Sequence, residues 1–305
     1  MNQITDHISG TARSAGPGTG VDPLGLIGLR PLMALTSGLR SMRVGLIDGH
    51  VVTSHPGLAE AHLEFLAAND DPAPPDDAAS RHATSVAGIL VACRGSGAPA
   101  VCPDATLVVR RLFPSASPRH RGTVAPGALA SAIVEVADAG VRILNLSLTL
   151  TPRSYDVDDA LQRALDHAAH RGVIVVAAAG NHGAVGGSVL TRHRSVIPVV
   201  AYDLHGHPSE VSNLGPTTGR RGVGATGAGI LSLEAGGGLR PFGGSSAAAA
   251  LVTGTIALLW SELPQAAPAD LVFAVTRSPA RRNTVVPPLI DAWRAYETVR
   301  AARYG

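Results

Sequence analysis

Residues 157–181 read VDDALQRALDHAAHRGVIVVAAAGN, and the change of texture inside them decides the fold. The first part places Leu161, Ala164, Leu165 and Ala168 at helical spacing among charged residues and stops at Gly172. That is an amphipathic helix with a glycine end. The second part, Val173 to Ala179, is continuously apolar and valine-rich. Such a run is a short strand buried on both faces.

The alternation continues in both directions. MRVGLID (42–48), ATLVVRRLF (105–113), VRILNLSLTL (141–150) and SVIPVVAYD (195–203) read as further buried strands. HATSVAGILVAC (82–93), PGALASAIVEVADAG (126–140) and the stretch from about Ser246 to Leu263 read as helices, the last ended by Pro264. EAHLEFLA (60–67) is expected as a short helix or turn, and NDDPAPPDDAAS (69–80) as an acidic, proline-rich loop. Residues 1–40, rich in Gly, Ser, Thr and Pro, are expected as a loose arm ahead of one domain over 41–305. The class is therefore α/β, with a mostly parallel central sheet covered by helices on both faces. Ligands in such sheets bind beyond the carboxyl ends of the strands. This directs attention to Asp48 and to the pair Gly180–Asn181.

Composition narrows the chemistry. The chain of 305 residues is 45% hydrophobic but only 3% aromatic, so its core is built from Ala, Val, Leu and Ile. All 25 basic residues are arginine, which excludes any mechanism that needs a lysine. The formal charge of +2 makes no case for a nucleic-acid partner. Cys93 and Cys102 are too few for a cysteine zinc site, and their spacing fits a loop disulfide or two thiols equally. The N-terminus lacks a cationic start with an apolar run, and the longest apolar stretch is broken by Thr253, Gly254 and Thr255. No membrane partner is expected, and the protein is read as cytoplasmic.

GGSSAAAALVTG (243–254) puts two serines before four alanines. Ser246 is either an N-cap or a nucleophile in the first turn of a buried helix. Asp48 either ends its strand or orients a base. His82, read as opening a helix, is either a surface residue or a neutral base. Asn181 is either a turn residue or an amide donor. Acyl transfer needs all four functions together: nucleophile, base, orienting anion and oxyanion donor.

Taken in order, VGLIDGHV, RHATSVAGIL, ILNLSL, VVAAAGNHG and FGGSSAAAALVTG resemble the successive motifs of the subtilisin-like serine proteases, in the order Asp, His, Ser. The resemblance covers residues 43–263. It implies a subtilisin-like three-layer sandwich and a serine endopeptidase. Asp48 matches the orienting aspartate, His82 the base, Asn181 the oxyanion donor and Ser246 the nucleophile. Leu146, Ser147, Thr149 and Gly180 match the substrate-binding edge and pocket, and Ser245 the residue positioning the serine turn. The implied partner is a peptide. Calcium is common in that family, but NDDPAPPDD lacks the ordered ligand spacing of a calcium loop and reads as a solvated acidic loop, so no cofactor and no metal are expected; the oligomeric state stays open. Several positions depart from the family: Ser85 for its second histidine, Ala83 and His50 for glycines, Thr149 for a glycine and Ala250 for the helix-kinking proline. Thr149 and Ala83 are expected to narrow the cleft. A straighter helix at Ala250 is expected to shift Ser246 slightly.

DGHVVTSHPGL, SVIPVVAYDLHGHPSEVSNLGP and GRRGVGATGAGILSL are further similar to proteases that trim leader peptides in cyanobactin-type natural-product clusters. Two rivals remain: a pseudo-protease that grips peptide without cutting it, and a broad degradative protease. GVGATG (222–227) fits a dinucleotide fingerprint but sits before a strand rather than a helix. His167 and His170 lie one turn apart with no third ligand, and read as a solvated face.

Overall fold

The computed structural model describes residues 20–66, 77–112, 124–148, 159–277 and 284–304. The chain opens with two short helices, α1 (Pro23–Leu26) and α2 (Leu29–Leu35), followed by β1 (Arg43–Asp48). After β2 (His62–Leu66) come α3 (Ala78–Val91), β3 (Thr106–Arg111), α4 (Pro126–Asp138), β4 (Ile143–Leu146), α5 (Asp159–His170) and β5 (Ile174–Ala178). Then follow α6 (Val189–Arg192), β6 (Val196–Tyr202), α7 (Pro216–Arg221) and β7 (Val223–Thr226). A hairpin of β8 (Ile230–Leu233) and β9 (Leu239–Phe242) leads into α8 (Gly244–Glu262), and α9 (Pro268–Thr276) and α10 (Ala292–Tyr304) close the chain.

The central sheet has seven strands in the order β2-β3-β1-β4-β5-β6-β7. Each neighbouring pair runs parallel. Successive side chains of a strand point to opposite faces. Val176 and Ala178 accordingly join the core under α3 and α8, while Val175 and Ala177 join the core under α4 and α5. Both faces are covered, which makes three layers. α8 crosses β4, β5, β6 and β7, and every residue from Ser245 to Ser261 is buried. Small side chains allow that close approach: Val101 of a neighbouring loop comes within 2.6 Å of where a Cβ on Gly254 would lie. By length and composition α8 could span a membrane, but 94% of its apolar window is buried within the protein.

Two expectations are corrected. EAHLEFLA is not a helix or turn: residues His62–Leu66 form edge strand β2, paired with β3. Its pattern is too short to separate the two periods, and pairing with β3 settles it. The Arg43 guanidinium grips the Glu64 carboxylate through two 2.7 Å bonds, fastening this edge to β1. The second correction concerns the arm. Residues 20–40 are not loose: Ile27, Leu29 and Leu32 are fully buried. Asp22 caps α1 and holds Arg30, the Ala292 N–H donates to the Ile27 carbonyl, and Gly28 turns between the helices at φ 62°. The Asp-Pro start at residues 22–23 is a helix signal that the Gly- and Ser-rich surroundings mask. Residues 1–19 lie outside the described residues.

The first turn of α3 lies directly on the end of β1. A Cβ on Gly49 would fall 2.2 Å from the Ala79 carbonyl oxygen. Gly49→Ala is therefore expected to cost about 1–3 kcal/mol, read as a lower urea midpoint with an unchanged slope.

Candidate active site

Three strand ends supply one edge of the sheet. The register places Ile47 beside Leu146 and Leu146 beside Ala177. Asp48, Ser147 and the Gly180–Asn181 turn therefore emerge side by side at the carboxyl ends of β1, β4 and β5.

Asp48 is 2% exposed. Its Oδ1 accepts the Gly49 N–H at 2.7 Å, and both its oxygens receive Nδ1 of His82, at 3.0 and 2.9 Å. A carboxylate only accepts, so Nδ1 carries the proton and Nε2 of the neutral ring is left with its lone pair. His82 does not open its helix. α3 starts at Ala78, capped by the Asp77 side chain on the Ser80 N–H, which puts His82 in the second turn. Its protonation is thus governed by neighbours more than by the helix end. Burial pushes the His82 pKa down, the Asp48 charge and hydrogen bond push it up, and Arg240 pushes it down; the net direction is up.

Ser246 is the third residue of α8 and not its first, because Gly243 is the N-cap. The turn is held by a reciprocal pair of bonds. The Ser245 hydroxyl accepts the Gly180 N–H at 3.1 Å, and the Ser245 N–H donates to Asn181 Oδ1 at 2.8 Å. Gly244 sits at φ 71°, where a Cβ would lie 2.9 Å from both polar atoms of the Asn181 amide. Only glycine suits that backbone and that space. With its oxygen engaged, the Asn181 amide keeps its NH2 as the free donor. The Gly244 N–H goes to the Gly227 carbonyl. No partner among the described residues takes the Ser246 N–H, so the site keeps two donors, one from the side chain of Asn181 and one from the backbone.

The Ser246 hydroxyl, 8% exposed as a residue, donates to the Ser147 carbonyl at 3.4 Å. Among the described residues it has no hydrogen bond to His82. The row from Asp48 through His82 to Ser246 is therefore bonded at its first link and open at its second. The β8–β9 hairpin that leads into α8 also packs on His82. Phe242, four positions before Ser246, stands edge-on to the His82 ring at 5.4 Å.

The substrate edge differs from expectation in two places. Leu146 is fully buried and its strand is paired on both sides, by β1 and β5, so it offers no free edge. Gly180, at φ 102°, gives its N–H to Ser245 and its carbonyl to the Asn213 N–H. It builds the turn, and its N–H is not left for a peptide. Ser147 is the first position past the strand pairing. Thr149 lies outside the described residues, as do positions 69–76 of the acidic loop. Ala83 is fully buried and does not narrow a cleft, and Ala250 lies fully buried within an unbroken α8.

Several site residues were not read from the sequence. Beneath Ser147, Thr253 donates to Asn145 Oδ1 at 2.9 Å and Asn145 Nδ2 donates to Ser147 Oγ at 2.8 Å, all three buried. The signal was available, since a threonine inside a wholly apolar helix must find a polar partner. At the position of the family's second histidine, the Ser85 hydroxyl donates to the Leu233 carbonyl at 2.8 Å, and the Ser232 hydroxyl returns a bond to the Ser85 carbonyl at 2.6 Å. This fastens the His82 helix to β8. His50 has a buried Nδ1 with no partner, and burial first, then Arg111, holds its pKa down. His182 is exposed, with its N–H on Asn213. His167 pairs with Asp138 at 2.8 Å on the surface, and Val223–Thr226 of the glycine motif is strand β7, opening onto the hairpin. Cys93 and Cys102 are free, and burial pushes the Cys102 thiol up to about 12.

Comparison with known proteins follows the same outline. A family model described as the subtilase family, peptidase S8, matches residues 40–286. The chain is 31% identical over 231 residues to a thermophilic serine proteinase of Bacillus sp. (strain AK1), covering 75% of this chain and 54% of that protein. It is 28% identical over 222 residues to thermitase of Thermoactinomyces vulgaris, covering 72% and 75%. The chain thus spans little more than half of the first two curated relatives, 54% and 57% of their lengths. Among solved structures it superposes on the protease domain of PatA with a TM-score of 0.80 at 28% identity, covering 88% of this chain and 98% of that one. For the prenylagaramide maturation protease PagA the TM-score is 0.77 at 26% identity, covering 89% and 98%.

The raised His82 pKa has a definite sign. The charged pair contributes stability at pH values below the ordinary imidazole value of 6.5, and that contribution is lost as pH rises through the higher folded value. In a proton NMR titration His82 is expected to titrate above 6.5. Asp48→Asn, which leaves burial and Arg240 unopposed, is expected to bring it below that value.

Proposed function

The chain belongs to the subtilase family, and on that premise we propose that it is a serine endopeptidase that trims the leader of a ribosomally made precursor peptide. The observation that carries the reading is the two-oxygen grip of Asp48 on His82 Nδ1, at the sheet edge where Ser246 and the two free donors also lie. In the proposed reaction Ser246 Oγ attacks the scissile carbonyl carbon while its proton passes to His82 Nε2. Asp48 stabilises the imidazolium. The oxyanion receives the Asn181 NH2 and the Ser246 N–H. The carbon–nitrogen bond then breaks, His82 protonates the departing amine, and water releases the acyl group by the same steps in reverse. For the first step the Ser246 hydroxyl must rotate from the Ser147 carbonyl toward His82.

The precursor-peptide assignment draws on two structural relatives, PatA and PagA, which are by name the patellamide and prenylagaramide maturation proteases. The two unbonded thiols are in keeping with a reducing cytoplasm. The open link between Ser246 and His82 favours one other reading, a module that grips peptide without cutting it. Catalytic contacts are often long in unliganded sites and tighten around substrate, so hydrolysis is the better reading.

Wild-type protein is expected to be labelled by a fluorophosphonate and to cleave a leader-bearing peptide at a single position, leaving casein largely intact. Ser246→Ala should lose both labelling and cleavage, and Asn181→Ala should lower kcat about 10²–10³-fold. Full labelling of the Ser246→Ala protein would remove the assignment. An unlabelled wild type that still binds the peptide would establish the gripping module, and rapid digestion of casein a broad degradative enzyme.

A further inference from the structure

The hairpin β8–β9 has two unlike faces. Its register sets Ser232 opposite Arg240 and Ile230 opposite Phe242. Opposed residues, and residues two apart, share a face, so these four side chains look the same way. Two contacts identify what they look at. The Ser232 hydroxyl reaches the Ser85 carbonyl on α3, and the Phe242 ring stands against His82. Arg240 stands directly opposite Ser232 and two residues before Phe242 on β9, on the face turned to the helix that carries His82. On the other face Leu231 and Leu239 are 48% and 41% exposed, and only Leu233, at the end of β8, is buried against Gly88 of α3.

The Arg240 guanidinium is held but not consumed. Its Nε lies 3.2 Å from Glu234 Oε2, and Glu234 Oε1 accepts the Ala235 N–H. Among the described residues no partner takes either Nη group. The side chain is 36% exposed, so the group is steered by Glu234 and open to solvent. Its charge is also felt at His82, where it opposes protonation.

The chemistry gives this face a direction. The imidazole that receives the serine proton returns it to the departing amine, so the departing segment leaves past His82. Ser147 and Asn181 lie just past the ends of β4 and β5, while the hairpin meets His82 where it stands on α3. The segment after the scissile bond therefore passes the face that presents Phe242 and Arg240.

We propose that Arg240, flanked by Phe242, selects peptides that carry an acidic residue at the first or second position after the scissile bond. This rests on the endopeptidase reading above. A half-exposed ion pair of this kind is worth a preference of about three- to fivefold, and salt screens it.

The test uses the full chain and sets of peptides identical except for Glu, Gln or Arg at each of those two positions. Peptides compete in one tube, products are quantified by mass spectrometry, and fluorophosphonate labelling is run alongside. In low salt the Glu peptide is expected to exceed the Gln peptide about three- to fivefold in kcat/KM, with Arg slowest. The gap should close near about 1 M salt. Arg240→Gln should bring the Glu-to-Gln ratio to about one, Arg240→Glu should favour the Arg peptide, and Glu234→Gln should widen the wild-type preference. A labelled wild type that cleaves all three peptides equally at both positions overturns the selection while leaving the endopeptidase standing. An unlabelled wild type that cleaves none overturns both.

Discussion

A helix buried along nearly all its length has to settle its first N–H groups, and here that obligation shapes the site. α8 is buried from Ser245 to Ser261, and only Gly243 and Gly244 at its amino end reach solvent, so its first N–H groups are largely settled by protein. The Gly244 N–H goes to Gly227 and the Ser245 N–H to Asn181. The Ser245 hydroxyl answers by taking the Gly180 N–H. Helix α8 and the turn after β5 are thereby locked to each other at two points. What remains is the N–H of Ser246 and the NH2 of Asn181, facing the edge where the sheet offers Asp48 and Ser147. The two donors that the proposed reaction uses are what is left once the rest of the helix end has been satisfied.

The same economy appears on the histidine side. Gly49 lets α3 rest on the end of β1, which brings Asp48 and His82 within bonding reach. Where the family carries a second histidine, this chain has Ser85, and the loss is absorbed locally. Ser85 and Ser232 exchange hydroxyl bonds into each other's strand and helix, and Gly88 leaves room for the contact: a Cβ there would meet Ser232 Oγ at 2.4 Å. The departure is a different fastening for the same helix, with both serine hydroxyls paired.

Much of this was legible before any coordinates. Doubly buried strands such as Val173–Ala179 cannot be mistaken for surface elements, because continuous apolar runs between amphipathic helices permit one architecture. Asp48, His82, Asn181 and Ser246 could be singled out because five short motifs fall in one family's order; the structure bonds Asp48 to His82 and Asn181 to the turn that carries Ser246. Edge strand β2 was not, since five residues carry too short a period and a neighbour decides them. Nor were the helices at 23–35, whose buried faces are defined by packing on α10 and α8, not by local pattern. Leu146 and Gly180 were placed correctly along the chain but given the wrong work. Whether a backbone group is free depends on what lies beside it, and pairing across β1, β4 and β5 is invisible in one dimension. The Thr253–Asn145–Ser147 chain was hidden for the same reason, with 108 positions between its first two members.

The open link between Ser246 and His82 is best weighed by its size. The hydroxyl rests on the Ser147 carbonyl at 3.4 Å, beyond the 2.5–3.0 Å common for such bonds. A contact that long holds weakly, and turning a serine hydroxyl needs one side-chain rotation between staggered wells. The expensive parts of the arrangement are already in place: the His82 tautomer set by Asp48, the two free donors, and a Ser147 segment braced from below by Asn145. An extended peptide laid past the end of β4 would present its own N–H to the Ser147 carbonyl and compete for the one acceptor that keeps the hydroxyl turned away. On the proposed reading, an open second link is the geometry this construction should adopt before a peptide competes for the Ser147 carbonyl.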